Sequence, residues 1–155
     1  MRVELVSLAD SQVSDLLEAH ERDMFEISPP GTSFALDLSK LSAPTISLFG
    51  TWEGETLVAV GALNRLSEKQ AEIKSMRTHP DHLGKGAAQA VLDLILETAR
   101  TDGLERVSLE TGTSDAFKPA IMLYLKNGFE RGEAFAGYAN GPHNQCYHLD
   151  LQSKE

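Results

Sequence analysis

Two glycines and a lysine stand where a long apolar helix is predicted to begin. The segment LGKGAA, residues 83–88, follows the loop THPDH and opens a helix predicted from about Gly86 to Arg100. The first amides of a helix lack partners within it and carry partial positive charge, so they bind anions well. Glycines let the backbone come close to such an anion. The segment is therefore a candidate site for a phosphate-bearing ligand.

Neither of two common phosphate-binding motifs fits this segment. A P-loop requires Gly-x-x-x-x-Gly-Lys-Ser/Thr, whereas one residue separates Gly84 from Gly86 and no hydroxyl follows Lys85. A dinucleotide fingerprint requires Gly-x-Gly-x-x-Gly directly after a strand, but Gln89 stands in place of the third glycine. Because Glu105 has about the right spacing for a ribose contact, a nucleotide-dependent oxidoreductase stays open as an alternative.

The elements that must position this segment follow a pattern that predicts one α+β domain over residues 1–155. Alternating apolar residues predict strands, and apolar residues at helical spacing predict helices, in the order β-α-α-β-β-β-α-β-α-β-β. A turn at Glu53-Gly54-Glu55 predicts a hairpin. The predicted helices cover DSQVSDLLEAHERDMFE, the shorter ALDLSKL, the segment opened by LGKGAA, and AFKPAIMLYLKN.

Composition excludes several classes of protein. No run approaches the roughly 20 apolar residues that cross a bilayer, and the start MRVELVSLADSQ lacks the apolar segment of a secretory signal. We therefore expect a cytoplasmic protein with no membrane partner. The formal charge of −9 argues against a nucleic-acid partner. The single cysteine, Cys146, lacks the paired spacing of a zinc site, so no metal is expected.

Two separated segments resemble motifs of the GNAT superfamily of acyl-CoA N-acyltransferases. The segment IKSMRTHPDHLGKGAAQAVL resembles the cofactor-binding pattern Arg/Gln-x-x-Gly-x-Gly/Ala, with leucine replacing the usual Arg or Gln. The segment AIMLYLKNGFE resembles a later pattern, a helix that carries Leu-Tyr and closes in Gly-Phe. The element order matches as well, so the resemblance covers nearly the whole chain. Within the superfamily, the chain resembles a little-characterised bacterial subgroup.

The resemblance implies a mixed, mostly antiparallel sheet flanked by about four helices, with splayed central strands. Acetyl-CoA as cosubstrate would lie in the wedge between the strands EIKSMR and RVSLE. The backbone of Met76 and Arg77 would contact its pantetheine arm. Its pyrophosphate would be held at six residues: Leu83, Gly84, Lys85, Gly86, Ala87 and Ala88.

Acyl transfer to an amine also requires a general base within hydrogen-bond reach of the amine. Strand alternation predicts that Glu72, Lys74 and Met76 share one face. The resemblance implies Glu72 as the base, and Glu110 is the competing candidate. Tyr124 is the candidate acid, since a phenol with an ordinary pKa of about 10 stays protonated at neutral pH. The resemblance also places a tyrosine in this role, where it protonates the departing CoA thiolate.

The sequence therefore predicts an N-acetyltransferase that acetylates the primary amine of a small molecule by direct attack in a ternary complex. The loop SPPGTSF, stiffened by Pro29 and Pro30, favours a closed pocket over an open groove. Two alternatives remain: a protein or peptide lysine or N-terminal acetyltransferase, and a non-catalytic CoA-binding regulatory module. The resemblance also allows a homodimer.

Overall fold

A seven-stranded sheet runs through the protein and carries helices on both faces. The structure, a computed structural model, describes residues 1–27 and 38–151, so the loop SPPGTSF lies outside the described residues. In the sheet the strands lie in the order β1-β2-β3-β4-β5-β7-β6. Neighbouring strands are antiparallel except β4 and β5, which are parallel. The strands are β1 (Arg2–Val6), β2 (Ile46–Glu53), β3 (Thr56–Arg65), β4 (Gln70–Thr78), β5 (Arg106–Gly112), β6 (Glu130–Arg131) and β7 (Asn144–Asp150).

Within the described residues the chain forms three α-helices: α1 (Ser11–Ile27), α2 (Ala87–Thr101) and α3 (Lys118–Lys126). About four helices were expected. The described part of the short segment ALDLSKL forms a 3₁₀ helix, Leu38–Ser42, instead. Pro44 follows closely, and the residue before a proline disfavours helical backbone, so the segment ends before a longer helix develops. No helix in the described ranges is long and apolar enough to span a membrane.

The sheet separates two apolar clusters, and this separation defines its two faces. On the α1 face, residues of α1 such as Val13 and Leu17 pack against side chains of β2 and β3. On the α2 face, α2 and α3 cover the other side of the same strands and of β5, with Val91 and Ile95 fully buried. The predicted hairpin is present: Glu53 pairs with Thr56 around a two-residue turn.

The parallel strands β4 and β5 pair over only a short stretch. Residues 70–72 of β4 pair with residues 106–108 of β5, and no further pair joins the two strands. Their remaining residues, 73–78 and 109–112, border a gap in the middle of the sheet. The expected splayed central strands are confirmed.

A β-bulge in β4 changes which side chains share a face. The register between β3 and β4 shifts between Val60 and Ala62, and Ser75 takes a φ of 57°. The bulge inserts one residue, so the side chain of Met76 packs on the α2 face, against the backbone of Gly61. The side chain of Arg77 points to α1. The prediction that Met76 shares the face of Glu72 is wrong, because simple alternation takes no account of an inserted residue.

Candidate active site

The gap between β4 and β5 opens into a cleft with a volume of about 630 Å³. Its walls come from β4, β5, the start of α2, the whole length of α3, the second half of α1 and the loop that precedes β7. Two of the residues predicted to form the site, Glu72 and Lys85, do not line this cleft. The predicted residues that do line it are Met76, Arg77, Leu83, Gly84, Gly86, Ala87, Ala88 and Tyr124.

The loop before α2 has the geometry of an anion site. Gly84 and Gly86 take φ values of 78° and 85°, in the left-handed region that favours glycine. Gly86 directly precedes α2 and has no side chain to cap the first amides of the helix. The first two residues of the helix, Ala87 and Ala88, also line the cleft. The loop and the splayed edge of β4 therefore fit a pyrophosphate joined to an extended arm.

The side chain of Lys85 lies outside this arrangement. Its Nζ is 3.8 Å from Oε1 of Glu53, at the end of β2. Both side chains are about half exposed, and such surface pairs contribute little to stability. A role for Lys85 in cofactor binding stays a prediction.

Glu110 is the carboxylate that faces the cleft. It lies on the α1 face of β5 and lines the cleft beside Lys74. Burial raises the pKa of Glu110 to about 7, although a hydrogen bond with the Asn144 side chain and the charge of Lys74 both oppose this rise. A carboxyl group that titrates near neutral pH is matched to accepting a proton there.

Glu72 does not line the cleft, and both of its carboxylate oxygens accept hydrogen bonds from other side chains. It is 5% exposed. Its Oε1 accepts from Nδ2 of Asn64 at 3.0 Å, and its Oε2 accepts from the hydroxyl of Tyr138 at 2.9 Å. Nζ of Lys74 is 3.8 Å from Oε2 and donates to the same tyrosine hydroxyl. Glu72 thus holds Lys74 and Tyr138, which do line the cleft.

Tyr124 reaches the cleft from the α2 face. Its ring is buried and makes an edge contact with Phe129, with the ring centroids 5.6 Å apart. Burial raises the pKa of the Tyr124 phenol, so it stays protonated at neutral pH. Within the described residues its hydroxyl makes no hydrogen bond, which leaves the proton available to a bound molecule. Glu110 and Tyr124 therefore approach the gap from opposite faces of the sheet.

His20, Met24, Tyr138 and His143 are among the lining residues that had no role in the sequence-based prediction. His20 shares the apolar stripe of α1, which made it resemble a core residue. Tyr138 and His143 belong to an irregular loop, where no periodicity marks the side chains that point inward. Burial, and then the nearby charge of Arg77, lowers the pKa of His20 to about 4, so His20 is neutral at pH 7.

Comparison with known sequences identifies the family. Residues 11–129 match the Acetyltransferase (GNAT) family. An uncharacterized N-acetyltransferase of Escherichia coli K12, YedL, is 44% identical over 144 residues, which cover 93% of this chain and 91% of that protein. An uncharacterized N-acetyltransferase of Bacillus subtilis 168, YsnE, is 43% identical over 144 residues, or 93% of this chain and 95% of that protein.

Solved structures share the fold. The structure of a protein from Klebsiella pneumoniae described as an acyl-CoA N-acyltransferase superposes with a TM-score of 0.81 at 24% identity, over 97% of both chains. A GNAT family acetyltransferase from Elizabethkingia anophelis with acetyl-CoA bound gives a TM-score of 0.71 at 13% identity, also over 97% of both chains. The chain therefore belongs to the Acetyltransferase (GNAT) family and is an acyl-CoA-dependent acetyltransferase.

Proposed function

We propose that this protein acetylates the primary amine of a small molecule by direct attack in a ternary complex. One observation carries the proposal: Glu110 and Tyr124 line the same cleft from opposite faces of the gap between β4 and β5. A base on one side and an acid on the other suit a reaction in which a proton leaves the amine and another reaches the departing sulfur.

The residues around the gap would hold acetyl-CoA in a defined direction. When bound, acetyl-CoA supplies the activated acetyl group as a thioester. The amides at residues 83–88 would bind its pyrophosphate. The backbone of Met76 and Arg77, which β5 leaves unpaired, would bind the amides of the pantetheine arm. This placement directs the arm through the gap, towards Glu110 and Tyr124.

In the proposed reaction Glu110 accepts the proton of the acceptor ammonium, directly or through one water. The freed amine nitrogen forms a bond to the acetyl carbon, and the carbon–sulfur bond breaks. Tyr124 donates its proton to the departing sulfur, which gives the thiol of CoA. The nitrogen then loses its second proton through water to the Tyr124 oxygen, which restores the phenol and leaves the neutral N-acetylated amine, while Glu110 releases its proton to solvent. Glu72 remains the alternative base predicted from the sequence. Its contacts with Asn64 and Tyr138 favour a positioning role instead.

The side chains that surround Glu110 support a small acceptor. His20 and Met24 of α1, together with Tyr138 and His143 of the loop before β7, wall the side of the gap on which Glu110 lies. Such a wall suits a compact molecule better than a polypeptide tail. A cytoplasmic location and a homodimer stay predictions from the sequence.

A panel of amines tests the proposal. The purified protein is incubated with acetyl-CoA and single primary amines, including amino acids, amino acid amides, polyamines and a lysine peptide. Release of CoA thiol is followed, and products are identified by mass. The proposal expects amine-dependent thiol release and a product heavier by one acetyl group. Acetylation restricted to the peptide would contradict the small-molecule acceptor, and binding of acetyl-CoA without any turnover would indicate the regulatory module.

A further inference from the structure

The residues that line the cleft include more cationic than anionic side chains, although the whole protein is acidic. The chain carries 14 Lys and Arg residues against 23 Asp and Glu residues. Among the described residues that line the cleft, however, three side chains are cationic, Lys74, Arg77 and Lys126, and one is a carboxylate, Glu110. Lys74 and Arg77 are paired with carboxylates outside this lining, Glu72 and Asp23 respectively. The lining itself nevertheless presents more cationic than anionic groups to a ligand, which suits an anion.

Arg77 has hydrogen-bonding capacity that the protein leaves unused. Its Nη1 donates to Oδ2 of Asp23 at 2.5 Å, and the side chain is 18% exposed. Its Nε is buried and has no partner among the described residues. A buried donor without a partner costs free energy, and an arriving oxyanion would recover that cost. A guanidinium also presents its donors in a fork that matches an oxyanion.

The side chain of Arg77 lies on the acceptor side of the cleft. The bulge at Ser75 turns it to the α1 face, beside Asp23 and His20 of α1. The candidate pyrophosphate site, at the first turn of α2, lies beyond the end of β4, and α2 packs on the opposite face. Glu110 lies on the same face as the Arg77 side chain. The side chain of Arg77, with its unused donor, therefore lies on the same side of the sheet as Glu110, from which the amine would approach.

We propose that the acceptor amine also carries a carboxylate, which binds Arg77 while the amino group lies at Glu110. This inference rests on the proposed acetyl transfer. A singly charged group fits better than a phosphate dianion, because Asp23 already offsets part of the charge of Arg77. His20 is neutral at pH 7 and adds a polar contact without further charge. The acceptor class is then amino acids and related amino carboxylates, whereas polyamines are poor acceptors.

Matched pairs of acceptors test the proposal. The kcat/KM values are measured for a set of amino acids and for the corresponding carboxamides, which keep the amine and lose the charge. The acids are expected to exceed the amides by about 10- to 100-fold, the range for a charge-assisted hydrogen bond. Arg77→Gln should bring this ratio close to one, mainly by raising KM for the acids. Equal kcat/KM values for acids and amides in the wild-type protein would overturn the proposal.

Arg65→Gln is the matched control. Arg65 also pairs with one aspartate, Nη2 to Oδ2 of Asp102 at 2.6 Å, but it does not line the cleft. This variant should keep the wild-type ratio of acids to amides. A fall of the ratio in Arg65→Gln as large as that in Arg77→Gln would overturn a specific role for Arg77.

A binding measurement separates this inference from the proposed reaction. N-acetyl amino acids and their amides, which resemble products and cannot be acetylated again at that nitrogen, are titrated calorimetrically into the CoA-loaded protein. Tighter binding of the acids, lost in Arg77→Gln, supports the anion site even if every amine in the turnover panel fails. Binding of neither set, or equal binding of both, contradicts the anion site even if acetyl transfer occurs.

Discussion

At the scale of single residues, Glu110 and Glu72 differ through their neighbours. Both lie on the α1 face near Lys74, and both are partly or wholly buried. Glu72 accepts hydrogen bonds from Asn64 and Tyr138, which occupy its oxygens. Glu110 lines the cleft, and burial raises its pKa to about 7. The same side chain therefore supports the site in one position and is suited to accept a proton in the other.

Replacing each glutamate separates the two candidate bases. We expect Glu110→Gln to lower kcat/KM by about 10²- to 10⁴-fold, the usual contribution of a general base. Glu110 must be ionised to act, so the wild-type kcat/KM should rise as the pH rises through about 7. Glu110→Gln should lack that rise, and high pH should partly restore its rate by deprotonating the amine in solution. A larger loss in Glu72→Gln, with the rise through pH 7 removed, would identify Glu72 as the base.

The raised pKa of Glu110 also predicts a change in stability. Below its unfolded pKa of about 4.5 the group is protonated in both states, and the burial cost is absent. As the pH rises through about 7, the folded protein must ionise a buried carboxyl group and loses stability. After allowance for solvent screening, Glu110→Gln should therefore be more stable than wild type by about 1–2 kcal/mol at pH 8 and nearly equal at pH 4. Urea unfolding at both pH values measures this, and an equal difference at both would contradict the assigned pKa.

Tyr124→Phe tests the acid. The ring and its packing on Phe129 remain, while the proton donor is lost, so kcat should fall by about 10²-fold or more with acetyl-CoA affinity unchanged. Tyr147→Phe is the control, because Tyr147 is equally buried at 5% exposure but does not line the cleft. Steady-state kinetics and calorimetric titration with acetyl-CoA measure both quantities. Full turnover in Tyr124→Phe would make Tyr124 a packing residue.

At the scale of elements, two local departures from regular structure shape the cleft. The bulge at Ser75 directs Met76 and Arg77 to opposite faces of β4. The left-handed glycines at Gly84 and Gly86 turn the chain from β4 into α2, so that the first amides of the helix face the cleft. If β4 had no bulge, the cleft would have a different shape. If a side chain capped the first amides of α2, the candidate anion site would be occupied by the protein itself.

Substitution of Gly86 tests the start of α2. We expect Gly86→Asp to abolish the increase in Tm that acetyl-CoA causes, because it adds a negative charge beside the candidate pyrophosphate site. Gly103→Asp is the matched control: Gly103 has a φ of 80°, close to the 85° of Gly86, and also offers open space for a Cβ. Both variants should lose similar stability from backbone strain, but Gly103→Asp should keep the ligand-induced shift. A normal shift in Gly86→Asp would place the cofactor elsewhere.

At the scale of the whole molecule, the cleft lies where the sheet is least continuous. Only residues 70–72 and 106–108 pair β4 to β5, and this short parallel junction joins β1–β4 to β5–β7. A ligand bound across the gap would contact both parts of the sheet. Binding should therefore stabilise the folded protein as a unit.

Acetyl-CoA should raise the free energy of unfolding with the logarithm of its concentration once that concentration exceeds Kd. At a hundredfold excess over Kd, a ligand that binds only the folded state adds about 2.7 kcal/mol. For a chain of 155 residues this corresponds to an increase in Tm of roughly 5–10 °C. Thermal unfolding across a range of acetyl-CoA concentrations measures the shift, and a Tm independent of concentration would contradict binding to the folded state.

Much of the fold and part of the site follow from local sequence. The order of elements, apart from the second helix, and also the hairpin at Gly54 and the glycine-rich start of α2 were predicted correctly, because periodicity and turn residues act over short distances. Tyr124 was placed on a helix, which the structure confirms. Its position at the cleft agrees with the prediction, while its role stays untested.

The tertiary structure decided how the side chains meet. Periodicity could not show that a bulge at Ser75 turns Arg77 towards α1, because a bulge arises from pairing with another strand. It also could not show that Glu110, rather than Glu72, faces the cleft. Burial and pKa depend on neighbours far away in the chain, such as Asn144 beside Glu110. The sequence by itself determined the family and the order of elements, whereas three-dimensional packing selected which charged groups face the cleft.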